Sequence, residues 1–164
     1  TDKHRRRLAL TNVALPRTIA RILAGDRRES ARREIEAWHA RAVAGELPGP
    51  PGPDGEYATR IEGSWRELGM LAWGAAFELE PGAWSDVIEE VGMFQVVRVL
   101  ERQDGPVPEA TRFVLDVRRV VYLPPGVGTV EIEAAKDRIR LTIVDPEWRT
   151  IVPELDQYRM GVHE

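Results

Sequence analysis

Catalysis needs side chains that attack, move protons or hold ions, and this chain offers few of them at usable spacing. It has no cysteine, which removes thiolate nucleophiles, disulfides and cysteine-based metal sites. The three histidines, His4, His39 and His163, are too scattered to read as a zinc site. Asp137, Asp145, Glu147, Glu154 and Asp156 are strewn along the C-terminal part and read as a solvated face, not as paired hydrolytic carboxylates. No phosphate loop, nucleophile elbow or dinucleotide fingerprint occurs, so no cofactor is expected. Two polar residues sit inside apolar runs instead: Arg21 in Ile19-Ala20-Arg21-Ile22-Leu23 and Gln95 in Phe94-Gln95-Val96-Val97. Alternation puts Arg21 opposite Ile22, facing either a ligand or solvent at a sheet edge. Gln95 can both donate and accept, so it reads as a satisfied core group or as a catalyst. Trp65, Trp73 and Trp84 either pack a core or line a peptide groove, since tryptophan is enriched at binding hot spots.

These residues need elements to position them. Residues 1–17 open with the basic run His4-Arg5-Arg6-Arg7 and read as an arm. The β-branched run 18–24 predicts a strand. Asp26 and Glu29 form a helix-capping pattern, and Ala31, Ile35, Trp38 and Ala42 recur at helical spacing before a stop at Gly45. The proline- and glycine-rich stretch 47–55 is a loop, and 56–61 makes a short helical turn. Ser64 and Glu67 suggest a second cap, and 65–79 reads as one helix that is apolar nearly all round. Pro81-Gly82 and Trp84–Glu90 form a corner, 94–100 a strand, and Gly105, Pro106 and Pro108 a boundary. A strong β run follows at 113–123. Thr129 then caps a helix expected to reach at least Arg138, and Asp145-Pro146 starts a last helix. Glu34-Ile35-Glu36-Ala37 recurs faintly as Glu131-Ile132-Glu133-Ala134, each after a short β run, which suggests an incomplete second copy of the first unit.

The 164 residues, 43% hydrophobic and 30% charged, suffice for one ordinary core with an appendage. No apolar run is long enough to span a bilayer. A net charge of −4 argues against a general nucleic-acid binder.

Ala76-Phe77-Glu78-Leu79-Glu80-Pro81-Gly82-Ala83-Trp84-Ser85, followed by Met93-Phe94-Gln95-Val96-Val97-Arg98-Val99, resembles the C-terminal half of a parvulin-type peptidyl-prolyl isomerase domain. Ala20-Arg21-Ile22-Leu23 resembles the family's first strand, residues 30–45 its first helix, and Tyr57-Ala58 the start of its second. The resemblance covers 18–103. It implies an α+β fold, a small antiparallel sheet flanked by helices, with 104–164 as a C-terminal β/α extension. In the family, two histidines from adjacent strands form a polar network beneath the bound prolyl bond; the matching positions here hold Arg21 and Gln95. The loop that supplies an acidic or thiol group is reduced to Gly63-Ser64-Trp65. The proline-pocket positions fall on Leu68 and Ala72, where the family normally has Met or Leu and then Phe; Trp73 or Met70 could fill the gap left by alanine.

The resemblance therefore implies a foldase or chaperone domain that binds extended or proline-containing peptide through Leu68, Ala72, Trp73 and Phe94, with little or no isomerase activity. A structural module that dimerises through its apolar helix and sheet is the first alternative. A weakly active isomerase is the second. Unfolded polypeptide is the expected partner, with a homo-oligomer possible and no metal or nucleic acid. Bacterial relatives of this kind often act outside the cytoplasm, which is all that points to a compartment.

Overall fold

The first apolar run of the chain does not enter a sheet. In the computed structural model, Asp2–Ala9 (α1) runs through a single π-helical turn at Leu10–Ala14 into the helix Leu15–Ala24 (α2). The strand expected over 18–24 is thus corrected. Pro16, which has no amide to donate, follows directly on the π-helical turn, an irregularity in the hydrogen-bond ladder that accommodates it. Leu15, Ile19 and Ile22, spaced by four and three, form one face that packs with Ile139 and Leu141. The β-branched residues weaken the helix by only roughly half a kcal/mol each, less than burying that face contributes.

The structure describes residues 2–46, 59–123, 126–141, 147–148 and 159–160. They fall into two compact units, one of residues 27–122 and one of residues 1–26 with 123–164. The loop 47–55, Tyr57-Ala58 and the helix start at Asp145-Pro146 lie outside the described residues, as do Glu154, Asp156 and His163. Among the described residues, no helix is long and apolar enough to cross a membrane.

The unit 27–122 is α+β, a four-stranded antiparallel sheet with helices on both faces. The helix Asp26–Val43 (α3) buries Ala31 and Ile35, with Trp38 half-buried on the same face, as the helical spacing predicts. It stops at Gly45, whose φ of 73° lets the amides of Gly45 and Glu46 turn back to the carbonyls of Ala42 and Arg41. The strands Thr59–Gly63 (β1), Ile88–Glu90 (β2), Met93–Gln103 (β3) and Arg112–Val121 (β4) lie in the order β1-β4-β3-β2. Of the helical turn expected at 56–61, residues 59–61 belong to β1 and 56–58 lie outside the described residues, and β2 ends the expected corner as a strand. The corner itself starts at Pro81-Gly82. From there Gly82 and Ser85 donate to Val99 and Val97 along the outer edge of β3.

The apolar stretch 65–79 is two helices, Trp65–Leu68 (α4) and Met70–Phe77 (α5), not one. Gly69 separates them at φ 83° and ψ 148°, a conformation reserved for glycine. α4 starts as expected: the backbone amide and hydroxyl of Ser64 both donate to the Glu67 carboxylate, which holds that carboxyl below its usual range. Leu68, Ala72 and Ala76 pack onto Val97, Val99, Phe113, Leu115 and Val117 of the sheet. Each large side chain buried there contributes about 1.5–3 kcal/mol.

In the other unit, Thr129–Lys136 (α6) begins one residue after Gly128, whose amide is capped by Glu131, and ends before the expected Arg138. Arg140–Leu141 (β5) then pairs in parallel with Arg159–Met160 (β6). Both copies of the faint repeat are helical, but the first follows α2 and so lacks the preceding strand.

Candidate functional site

A strand turns alternate side chains to opposite faces, and paired residues of neighbouring antiparallel strands share a face. Met93, Gln95, Val97 and Val99 of β3 therefore lie on the same face as their partners Val121, Arg119, Val117 and Leu115 of β4. α4 and α5 cover the Val97–Val99 end of that face. The Met93–Gln95 end carries a chain of polar groups across three strands. Gln95, 1% exposed, donates from Nε2 to Glu90 Oε1 at 2.5 Å and accepts at Oε1 from Arg119 Nε at 3.0 Å. A carboxylate only accepts and a guanidinium only donates, so the two partners dictate which way the amide points. Hydrogen bonds to charged groups stabilise by about 1.5–3 kcal/mol, which offsets the burial of the amide.

Exposed apolar residues occur on the elements that carry this polar line or adjoin it. Met70 is 70% exposed, Val121 66% and Val91 41%. Val91 stands in the two-residue turn between β2 and β3, and Val121 faces Met93 across β3 and β4. Gly69 lies beside Glu90: a Cβ on that glycine would sit 3.9 Å from Glu90 Oε1.

The opposite face is locked by two charged clusters. Arg28 of α3 forks onto Glu89 at 2.9 and 2.8 Å, Tyr122 Oη donates to the same carboxylate at 3.0 Å, and the guanidinium stacks on Phe94. Burial, then the hydrogen bond to Glu89, pushes the Tyr122 phenol above its ordinary value, while the Glu89 hydrogen bond raises Arg28. A phenol whose pKa is raised by folding stabilises the fold below its unfolded value of about 10 and loses that contribution as pH climbs through the folded value. Wild type should therefore exceed Tyr122→Phe by about 1 kcal/mol at pH 8. Urea unfolding at pH 11 should show that advantage shrinking or reversed; a constant gap would sink the assignment. The second cluster is Arg98 and the fully buried Asp116, 2.6 Å apart, with Arg98 stacked on Trp84 and Trp84 edge-on to Trp38.

The residues singled out from sequence are only partly brought together. Gln95, Leu68 and Ala72 share one face of the sheet, with Leu68 and Ala72 buried in the core beneath α4 and α5. Trp73 is half-buried beside them and donates from its indole to Thr111 O at 3.1 Å. Phe94 lies on the other face against Tyr122. Arg21 is an exposed residue of α2, in the other unit, and not on a strand beside Gln95. Arg119 is on the strand beside Gln95. Sequence reasoning missed both Arg119 and Glu90. Three charged residues, Asp116, Arg118 and Arg119, inside the apolar run 113–121 were the available signal. Among the described residues, no group of three or more histidines, aspartates or glutamates could hold a metal ion. No family model, curated protein or solved structure matches the chain.

Proposed function

We propose that the unit 27–122 holds extended or proline-containing polypeptide, as a parvulin-like foldase or chaperone domain with little or no isomerase activity. The observation that carries this reading is the buried Gln95, hydrogen-bonded to charged neighbours on both sides, with exposed Val121 and half-buried Met93 paired beside it on the same face of the sheet. Extended peptide needs polar partners for its backbone and apolar contact for its side chains, and the exposed Arg119, oriented by Gln95, stands two residues from exposed Val121 on one face of β4. The resemblance puts a cross-strand pair beneath the bound prolyl bond; Gln95 and Arg119 make such a pair from other residue types. Rotation about an X-Pro bond faces a barrier of about 20 kcal/mol, and lowering it requires a site that favours the twisted amide. Here Arg119 is a fixed cation, Gln95 is pinned at both ends, and Leu68 and Ala72 are buried in the core. Such a surface suits holding better than turning.

Met70→Asp and Val121→Asp change exposed positions and should leave folding intact, yet each should lower suppression of an unfolded client's aggregation by about fivefold, the effect of placing a charge against apolar contact. Unchanged suppression in both would remove the site. A protease-coupled isomerisation assay should show no acceleration at high protein concentration.

A second reading, assembly through the sheet, is favoured by β1. This strand is an edge of the sheet, and its Arg60-Ile61-Glu62 is self-complementary: an antiparallel copy centred on Ile61 would set each arginine opposite a glutamate. A mass that stays monomeric over a dilution series to high concentration would overturn it.

A further inference from the structure

Six arginines stand on the strands of the four-stranded sheet, and five of them lie within 4.0 Å of a carboxylate: Arg60 with Glu101, Arg98 with Asp116, Arg102 with Asp104, Arg112 with Glu62 and Arg118 with Glu34. Among the described residues, Arg119 is the exception. Its Nε is held by the neutral amide of buried Gln95, and its exposed side chain shares a face with the neighbouring apolar pair Met93 and Val121. A guanidinium tethered through Nε has one planar orientation and presents its Nη groups as a fork, the geometry that binds a carboxylate bidentately. On the other side of Gln95 stands Glu90, so the polar line has a cationic end at β4 and an anionic end at β2, with the amide between them.

We propose that Arg119 is a specificity residue that recognises the side-chain carboxylate of an acidic residue within the bound peptide, next to the apolar or prolyl residue seated on Met93 and Val121. This rests on the peptide-holding reading above. An exposed, solvated cation with a matched donor pair gains from a carboxylate what the five neighbouring arginines already gain within the chain. Glu90 opposes acid binding from the far end of the line and favours a basic or amide-bearing residue there, so the peptide also acquires a direction across the strands.

The test is fluorescence anisotropy with labelled decapeptides, acetylated and amidated at their ends, that differ only in Glu, Gln or Lys beside an apolar-proline pair. The full chain should bind the Glu peptide about threefold tighter than the Gln peptide and about tenfold tighter than the Lys peptide at low salt, with the gap narrowing at high salt. Arg119→Glu should invert the order, Arg119→Gln should level it, and Glu90→Gln should strengthen binding of the Glu peptide. Equal binding of all three peptides overturns this inference and leaves peptide holding in place. An acidic preference that persists in both Arg119 variants overturns the assignment to Arg119. A preference that appears only when the amide cap is replaced by a free C-terminal carboxylate assigns the fork to chain ends and overturns it too. Failure of every peptide to bind, together with no effect on client aggregation, brings down both readings.

Discussion

Asp116→Ala should destabilise the sheet unit by about 3–5 kcal/mol, because it leaves a buried arginine without its counter-ion. Asp116 is 0% exposed and lies in the middle of β4, paired on one side with Arg60 of β1 and on the other with Arg98 of β3. Its Oδ2 meets the Arg98 guanidinium at 2.6 Å, and Trp84 closes over that guanidinium at 4.6 Å. Little solvent remains to screen the charge once the carboxylate is gone. Unfolding in urea measures the loss as a fall in midpoint at constant slope. The double variant Asp116→Leu with Arg98→Met separates the pair from the position. Removing both charges together should recover most of the loss, since apolar groups of similar volume often replace a buried ion pair at no net cost. A double variant as unstable as Asp116→Ala would show that the site, and not the stranded charge, is responsible.

The second large effect is expected at Ala72. The resemblance assigns this position to the floor of a proline pocket, where phenylalanine is usual, so Ala72→Phe looks from sequence like a repair. The fold makes it an injury. Ala72 is 0% exposed, and α5 rests on the sheet through it and Ala76, beside Leu68 of α4, in one cluster with Val97, Val99 and Leu115. A ring there must push α5 off the strands, and overpacking of this size costs about 3 kcal/mol. Thermal unfolding should show a clear drop in midpoint, and the protease-coupled assay should show no gain in isomerisation. A stable variant that accelerates prolyl isomerisation would instead reveal a pocket beneath α5 that the packing denies.

Several elements were legible from local pattern alone. The spacing of Ala31, Ile35 and Trp38 gave the buried face of α3, the Ser64 and Glu67 pair marked the start of α4, and the β-branched runs near 94–100 and 113–123 became β3 and β4. The misreadings have one kind of cause, a neighbour distant in sequence. Residues 18–24 have strand-like composition, but Ile19 and Ile22 pack, partly buried, against the cluster of Leu15 and Ile139, the latter more than a hundred residues on, and that contact favours the helix. Gly69 breaks the 65–79 helix at a backbone conformation that no apolar pattern reports.

The candidate site shows the same division. Residue chemistry by itself excluded thiol and phosphate-loop catalysis, because those reactions require residues or motifs that are absent, and it singled out Gln95 as a polar residue in an apolar strand. It could not name the partners of Gln95. Strand pairing joins residues by register and not by nearness in sequence, and a shift of one residue turns every side chain to the other face. Tertiary structure alone set Arg119 rather than Arg21 beside Gln95, because burial of Leu115 and Val117 fixes which face of β4 meets the helices, and Arg119 follows two residues later on that same face.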